Sequence, residues 1–262
     1  MGLAPEILAF YERGTEDARL RAGAGRLEFW RTRDVLRRVL PAPPAAVLDV
    51  GGGSGVHAEW LARDGHRVHL IDPVPLHARQ AARLPGVTAL IGDARALPVA
   101  AASHDAVLLL GPLYHLVRRA DRVTALAEAA RAVRPGGVVA AALISRFAGL
   151  HDMIRKGRYA EPAMREGIDA SVRDGVLRPG EAGFTLAYFH RPEEAAGEFA
   201  AAGLGEPGLY GLEGAAWLMP GTEAWLDDPG RRELLLTALR RTEREPSLLG
   251  VSGHLLAVAT KR

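Results

Sequence analysis

Residues 46–57 read Ala-Val-Leu-Asp-Val-Gly-Gly-Gly-Ser-Gly-Val-His, an apolar run with one acid that breaks into four glycines within five positions. Such a run predicts a buried parallel strand that turns tightly into a helix. Glycine accepts positive φ and carries no Cβ to obstruct a ligand. Open α/β sheets bind nucleotides at turns of this kind, outside the carboxyl ends of their strands.

The first half of the chain repeats the alternation that this turn demands. Strand-like runs fall at Val47–Val50, Val68–Ile71, Val87–Ile91, Ala106–Leu110 and Val138–Ile144. Helical stretches lie between them at Val56–Arg63, Leu76–Arg83 and Asp121–Val133. In the last, Val123, Leu126, Ala127, Ala130 and Val133 share one face, and Pro135-Gly136-Gly137 stops the helix. Strands alternating with helices predict a parallel sheet with right-handed crossovers. The second half is less regular. Residues 146–182 are polar and interrupted by Pro162 and Pro179, Pro192 opens a helix over Glu193–Ala202, and a short strand is expected at 206–211. An irregular block at 213–250 holds a helix near Arg231–Arg244, and an apolar strand, His254–Thr260, closes the chain.

Composition excludes several classes. Of 262 residues 48% are hydrophobic, enough for a large core and too many for a disordered chain. No apolar run is long enough to span a bilayer, and Met1 to Gly14 lacks the form of a signal peptide, so a cytoplasmic protein with no membrane partner is expected. Cysteine is absent, which removes disulfides, thiolate metal sites and a cysteine nucleophile. The net charge is +2, with Lys156 and Lys261 the only lysines, and arginine pairs such as Arg37-Arg38 are scattered. No basic stripe predicts a nucleic-acid partner. A monomer or a homodimer is expected.

The glycine spacing narrows the ligand. A dinucleotide fingerprint asks for glycine or alanine where this chain has Val56. The pattern Asp49-x-Gly51-x-Gly53-x-Gly55, with the acid on the strand itself, resembles motif I of the class I S-adenosylmethionine-dependent methyltransferases. Asp72 at the end of the second strand, Gly92-Asp93-Ala94-Arg95 after the third, Leu110-Gly111 after the fourth and Arg134-Pro135-Gly136-Gly137 before the fifth resemble the family in order and spacing. The resemblance covers roughly residues 5–145 and the last strand. It implies a Rossmann-like, seven-stranded, mostly parallel α/β sheet with an antiparallel last strand, helices on both faces and a lid of inserted helices. The core would comprise 1–145, 183–212 and 251–262, with 1–40 as an N-terminal helical cover, and the lid would comprise 146–182 and 213–250.

The resemblance also implies a cofactor, S-adenosyl-L-methionine, converted to S-adenosyl-L-homocysteine. The expected cofactor-binding set is Tyr11, Arg26, Asp49, Gly51, Gly52, Gly53, Gly55, Asp72, Pro73, Gly92, Asp93, Ala94, Arg95, Leu110 and Gly111. A carboxylate at Asp72 accepts ribose hydroxyls in comparable nucleotide folds. The resemblance gives Asp93 the adenine amino group, although an acid there also suits a helix N-cap. Arg26, in the cover, would hold the cofactor's carboxylate through a bidentate guanidinium, and Tyr11 belongs to the same cover.

Methyl transfer from a sulfonium is an in-line displacement whose leaving group is already activated, so the protein chiefly aligns reactants and excludes water. A base is required only where the nucleophile must lose a proton. Gly111-Pro112-Leu113-Tyr114 differs from the (Asn/Asp)-Pro-Pro-Tyr signature of enzymes acting on planar amino groups. The amide or carboxylate that would accept the amine's hydrogens is replaced by glycine. No acid ends the fourth strand, and His57, His66, His69 and His77 show no ligand pairing, so no metal is expected. The catalytic candidates are His115, as an imidazole that titrates near neutrality, and Tyr114, as an aromatic face or oxygen beside the sulfonium. Together with Arg146, His151, Tyr188, His190 and Trp217 they form the expected substrate-binding set. An aromatic, partly polar pocket of this kind suits a small organic acceptor, of the sort met in secondary metabolism, methylated on oxygen or nitrogen, with carbon also open. An RNA or protein substrate, a nicotinamide-dependent oxidoreductase and a cofactor-binding sensor without turnover are the alternative readings.

Overall fold

In the computed structural model the described residues are Ile7, Tyr11, 20–23, 25–179 and 184–262. Most of the predicted cover before residue 20, and residues 180–183, where predicted lid and core join, lie outside them. Helix α1 (Gly25–Val39) leads into β1 (Ala46–Val50), α2 (Val56–Arg63), β2 (Arg67–Asp72), α3 (Pro75–Ala81), β3 (Val87–Ile91) and β4 (His104–Leu109). The short α4 (Pro112–His115), α5 (Arg119–Ala132) and the long β5 (Val133–Ser145) follow. Next come α6 (Ala148–Arg155), α7 (Pro162–Asp174), β6 (Val176–Leu177), β7 (Ala187–His190), α8 (Pro192–Ala201) and β8 (Gly208–Gly211). Helices α9 (Thr222–Asp227), α10 (Pro229–Arg240) and α11 (Pro246–Leu249) precede the final strand, β9 (His254–Thr260).

The main sheet runs β3-β2-β1-β4-β5 in parallel. Strand β9 pairs antiparallel with β5 from Val138↔Thr260 to Ile144↔His254, and β8 pairs antiparallel with β9. These seven strands reproduce the expected sheet with its antiparallel last strand. Two further strands were not foreseen. Strand β4 ends at Leu109, opposite Ala141, so β5 projects beyond it and exposes unpaired backbone groups. Strand β7 takes up that edge through Ile144↔Phe189 and Ser145↔His190, and β6 pairs with β7. The Arg134–Gly137 turn lies inside the first residues of β5. It forms a bulge between the register points His104↔Val133 and Ala106↔Val138, where Gly136 has φ 75°. Lys261 donates its N–H to the Gly137 carbonyl and Gly136 donates to that of Lys261, so the bulge stays tied to the end of the chain.

Both faces of the sheet are buried, which explains why its strands read as near-continuous apolar runs. One face sets Leu48, Val107 and Leu109 against Leu126 and Ala129 of α5 and Phe199 of α8. The other sets Val47, Ala106 and Leu108 against Leu36 of α1 and Trp60 and Leu61 of α2.

Helix α1 is held by more than apolar contact. Arg31 is fully buried and donates to the Leu212 carbonyl (2.7 Å), to Asp34 and to Glu243 (2.6 Å). Arg38 reaches Glu243 and Arg240 reaches Asp34, so ion pairs tie α1 to α10 and the loop after it. Removing one partner of a buried pair leaves its counter-ions uncompensated, at a cost of about 3–5 kcal/mol. Arg31→Met is therefore expected to lower the urea midpoint strongly with little change in the denaturant slope; a change below about 1 kcal/mol would mean that the network adds nothing.

Candidate cofactor and acceptor cleft

Strands β1 and β4 are neighbours, yet β2 and β3 lie between them in sequence, so the crossovers leave in opposite directions at this point. A crevice opens there at the carboxyl edge. Its floor is the turn after β1. Gly51 and Gly53 have φ of 67° and 59°, which an L side chain adopts only under strain. A Cβ on Gly52 would lie 2.5 Å from the Asp49 carboxylate, and one on Gly51 would lie 2.7 Å from Pro112. Gly55 (φ 97°) begins α2 and packs on Leu84; it does not line the cleft.

The Asp72 carboxylate organises the next strand end. One oxygen accepts the Gly53 N–H (2.9 Å); the other accepts the Val74 N–H (2.9 Å) and faces His77 Nδ1 (3.2 Å). After β3, Asp93 forms a fork with Arg95 Nε (2.9 Å) and Nη2 (2.6 Å) and accepts the Arg95 N–H. Burial would raise its pKa, but the guanidinium outweighs that and holds it below the ordinary value. Among the expected cofactor residues, Tyr11, Asp49, Gly51, Gly52, Gly53, Asp72, Pro73, Gly92, Asp93, Ala94, Arg95, Leu110 and Gly111 line one cleft with Tyr114 and His115. Arg26 does not: it pairs with the exposed Asp227 at 2.7 Å.

Asp49 is the anomaly. It is fully buried, both carboxylate oxygens lack a hydrogen-bond partner, and it lines the cleft. Burial, with the Asp72 charge adding, raises its pKa to about 7. An orphaned buried carboxylate beneath a turn that tolerates no Cβ fits a ligand that brings hydrogen-bond donors and positive charge.

His115 is buried, its Nδ1 lies 3.2 Å from the Leu186 carbonyl and its Nε2 lies 2.6 Å from the Tyr11 hydroxyl. The carbonyl can only accept, which makes Nδ1 the donor and leaves Nε2 to accept from Tyr11. Burial lowers its pKa to about 4, so the ring is neutral throughout the physiological range. The remaining substrate candidates sit apart from the cleft. Arg146 donates to the Phe189 carbonyl and to Glu194, Tyr188 lies under the Arg122 guanidinium at 3.7 Å, and His190 is fully buried beside Glu198. Trp217 donates to the Val251 carbonyl, with His151 6.3 Å away between ring centroids.

Sequence reasoning missed the other wall. Glu28 and Thr32 of α1, Leu212 after β8 and His254 at the start of β9 complete the cleft, and His57 and His77, considered only as metal ligands, also line it. Helical spacing places Glu28 and Thr32 four apart on one face, a signal that was available; the approach of β9 was not.

An α/β sheet with this strand order, and a glycine turn at its switch point flanked by carboxylates on successive strand ends, defines a nucleotide-cofactor-binding domain of methyltransferase topology. Residues 47–137 match the family profile described as "Methyltransferase domain", and the chain carries a class I S-adenosylmethionine-dependent methyltransferase domain. The cofactor that such a domain takes is S-adenosylmethionine. A methyltransferase of Mycobacterium tuberculosis (strain H37Rv) is 41% identical over 101 residues, 38% of this chain and 40% of that protein. A ubiquinone biosynthesis O-methyltransferase of Methylocella silvestris is 39% identical over 111 residues, 40% of this chain and 42% of that protein. The chain thus spans about two fifths of the length of these curated relatives. Among solved structures, the Burkholderia thailandensis 1,6-didemethyltoxoflavin-N1-methyltransferase with S-adenosylhomocysteine superposes with a TM-score of 0.57 at 18% identity, over 97% of this chain and 84% of that one, a likeness of fold.

Asp49 makes stability depend on pH. Its folded pKa, about 7, lies above the unfolded value, so the folded state binds the extra proton between about pH 4 and pH 7 and stability falls as pH rises through that window. The penalty levels off above pH 7 at about 4 kcal/mol by the usual conversion. In the ligand-free protein Asp49→Asn is expected to raise the unfolding temperature by several degrees at pH 8 and by less at pH 5; an equal effect at both would show that Asp49 is not held neutral by burial.

Proposed function

We propose that this chain transfers a methyl group from S-adenosylmethionine to a small organic acceptor, within EC class 2.1.1, by in-line displacement and without a metal. The observation that carries the reading is the cradle itself: Gly51–Gly53 at the switch point, with Asp49 orphaned beneath and Asp72 and Asp93 on the next two strand ends. The bound cofactor supplies an electrophilic methyl group on a sulfonium. Asp72 would hold the ribose hydroxyls with the carboxylate capacity left after its three protein contacts, and Asp93 and Ala94 would meet the adenine. The backbone of Gly51, Gly52, Leu110 and Gly111 would border the methionine part, and its positive charge would draw the proton off Asp49.

The roof supports a small acceptor. Tyr11 is fixed over the cleft by His115, which acts here through the tyrosine hydroxyl. Tyr114 lies beside His115 with its hydroxyl 3.3 Å from the Leu110 carbonyl. Aromatic side chains over a recessed crevice suit a compact acceptor better than a polymer. No acid ends β4, where the chain reads Leu109-Leu110-Gly111, in keeping with metal-free transfer. Among the described residues no helix is long and apolar enough to cross a membrane, which accords with a cytoplasmic enzyme.

Calorimetric titration tests the reading directly. S-adenosylmethionine and S-adenosylhomocysteine are expected to bind, and Asp72→Ala to weaken both at least about tenfold, the scale of one lost charge-assisted hydrogen bond. NAD(H) binding with no response to the sulfonium pair would overturn it.

A further inference from the structure

Helical spacing sets Trp30, Arg33 and Arg37 on one face of α1, and α2 brings Trp60 beside them. With Arg232 of α10 they form an alternating row of guanidinium and indole groups. The Arg232 guanidinium lies 4.1 Å from the centre of the Trp30 ring, and that of Arg33 lies 5.3 Å from it. Arg33 also lies 5.6 Å from the Trp60 ring, and Arg37 lies 5.7 Å from that same ring. The charge of Arg37 is met by Asp64, which accepts from its Nε and its Nη2 at 2.7 Å. Arg63, also on α2, pairs with Glu59. Arg33 differs: among the described residues it has neither a hydrogen-bond acceptor nor an ion-pair partner, and its Nε is shielded from solvent. Arg232 donates to the Leu226 carbonyl (3.2 Å) and, among the described residues, has no acid partner either. Burial, and next the charge of Arg37, outweigh Asp64 and push the Arg33 pKa below its ordinary value. An arginine stays charged all the same, so the row carries a cation short of compensation.

We propose that Arg33 and Arg232, steadied by Trp30 and Trp60, form a second binding site, for a phosphate-type oxyanion. A guanidinium laid against an indole keeps its in-plane N–H donors at the edge, in the fork geometry that fits two oxygens of a tetrahedral oxyanion. Two such forks ask for more acceptors than one carboxylate carries, and a phosphate dianion supplies both the oxygens and the charge that compensates two arginines. Glu59 and Asp64 flank the row and would repel the further charges of an extended polyanion, which favours a compact phosphate compound. The site is distinct from the cofactor cleft, which none of Trp30, Arg33, Trp60 and Arg232 lines. The two share a wall, since Trp60 Nε1 donates to Nδ1 of His57 (3.2 Å), a residue of the cleft.

The test uses the whole chain saturated with S-adenosylhomocysteine, which keeps phosphate out of the glycine turn. Inorganic phosphate at neutral pH and, separately, a short oligothymidylate are titrated at constant ionic strength, with tryptophan fluorescence and calorimetry as readouts. Phosphate is expected to bind saturably to the wild type. Arg33→Gln and Arg232→Gln should each weaken it at least about tenfold, the scale of lost charge-assisted hydrogen bonds. Arg63→Gln, which removes an exposed arginine already paired with Glu59, should stay within about twofold. Phosphate should also raise the unfolding temperature of the wild type more than that of Arg33→Gln. Unchanged S-adenosylhomocysteine affinity in the variants serves as the check of folding. An oligothymidylate that binds more tightly than phosphate, and is lost with the same two substitutions, would assign the oxyanion to a nucleic-acid strand; weaker or equal binding assigns it to a free phosphate compound. No saturable response of the wild type to either probe, or equal affinity in the wild type and both glutamine variants, overturns the proposal. If the wild type does not bind S-adenosylhomocysteine, the methyl-transfer reading fails, and the comparison of Arg33→Gln with the wild type still decides the phosphate site.

Discussion

The reversal of crossover direction between β1 and β4 is the constraint on which the rest of the molecule depends. Two parallel strands that lie side by side but send their chains to opposite sides leave their carboxyl ends open between them. The glycine turn after β1 and the Leu110-Gly111 turn after β4 form the two lips of that opening. Close approach of the lips accounts for the glycines: side chains at 51 and 52 would strike Pro112 and Asp49. The same crowding buries the Asp49 carboxyl without a partner, a local sacrifice of stability at the point where a cationic ligand is best received.

The second wall is built by elements remote in sequence and fastened by charge. Arg31, Asp34, Arg240 and Glu243 join α1 to the C-terminal block, and α1 in turn presents Glu28 and Thr32 to the cleft. Buried ion networks of this kind contribute geometry more than net stability. A second network, Arg122 with Glu198 and Arg146 with Glu194, ties α8 to α5 and to the end of β5 and absorbs Tyr188 and His190 of β7. Polar groups that look functional in a linear sequence are here engaged in holding the added strands to the end of β5.

The core was legible because its physics is local. The runs at Val87–Ile91 and His254–Thr260 and the helix at Val56–Arg63 coincide with β3, β9 and α2, since continuous apolar stretches cut by Gly and Pro leave few other arrangements. The resemblance places inserted helices within 146–182 without delimiting α6 or α7, it leaves out the β6–β7 pair, and the helix expected near Arg231–Arg244 begins earlier, at Pro229. These segments are short, polar on the outside and shaped by what they pack on, so propensity alone does not delimit them.

The same division runs through the site. The chain by itself determined the sheet, the glycine turn and the carboxylates Asp49, Asp72 and Asp93, because each is a feature of one strand and the turn that follows it. Tertiary structure decided how the histidines of the cleft are partnered. His115 lies in α4, after β4, and His254 opens β9; the first is sealed between Leu186 and Tyr11 and the second is set on Glu213. That difference depends on contacts between residues up to 104 positions apart, on burial and on the antiparallel return of β9. No window of sequence holds such information, because it resides in the distances that only the assembled sheet creates.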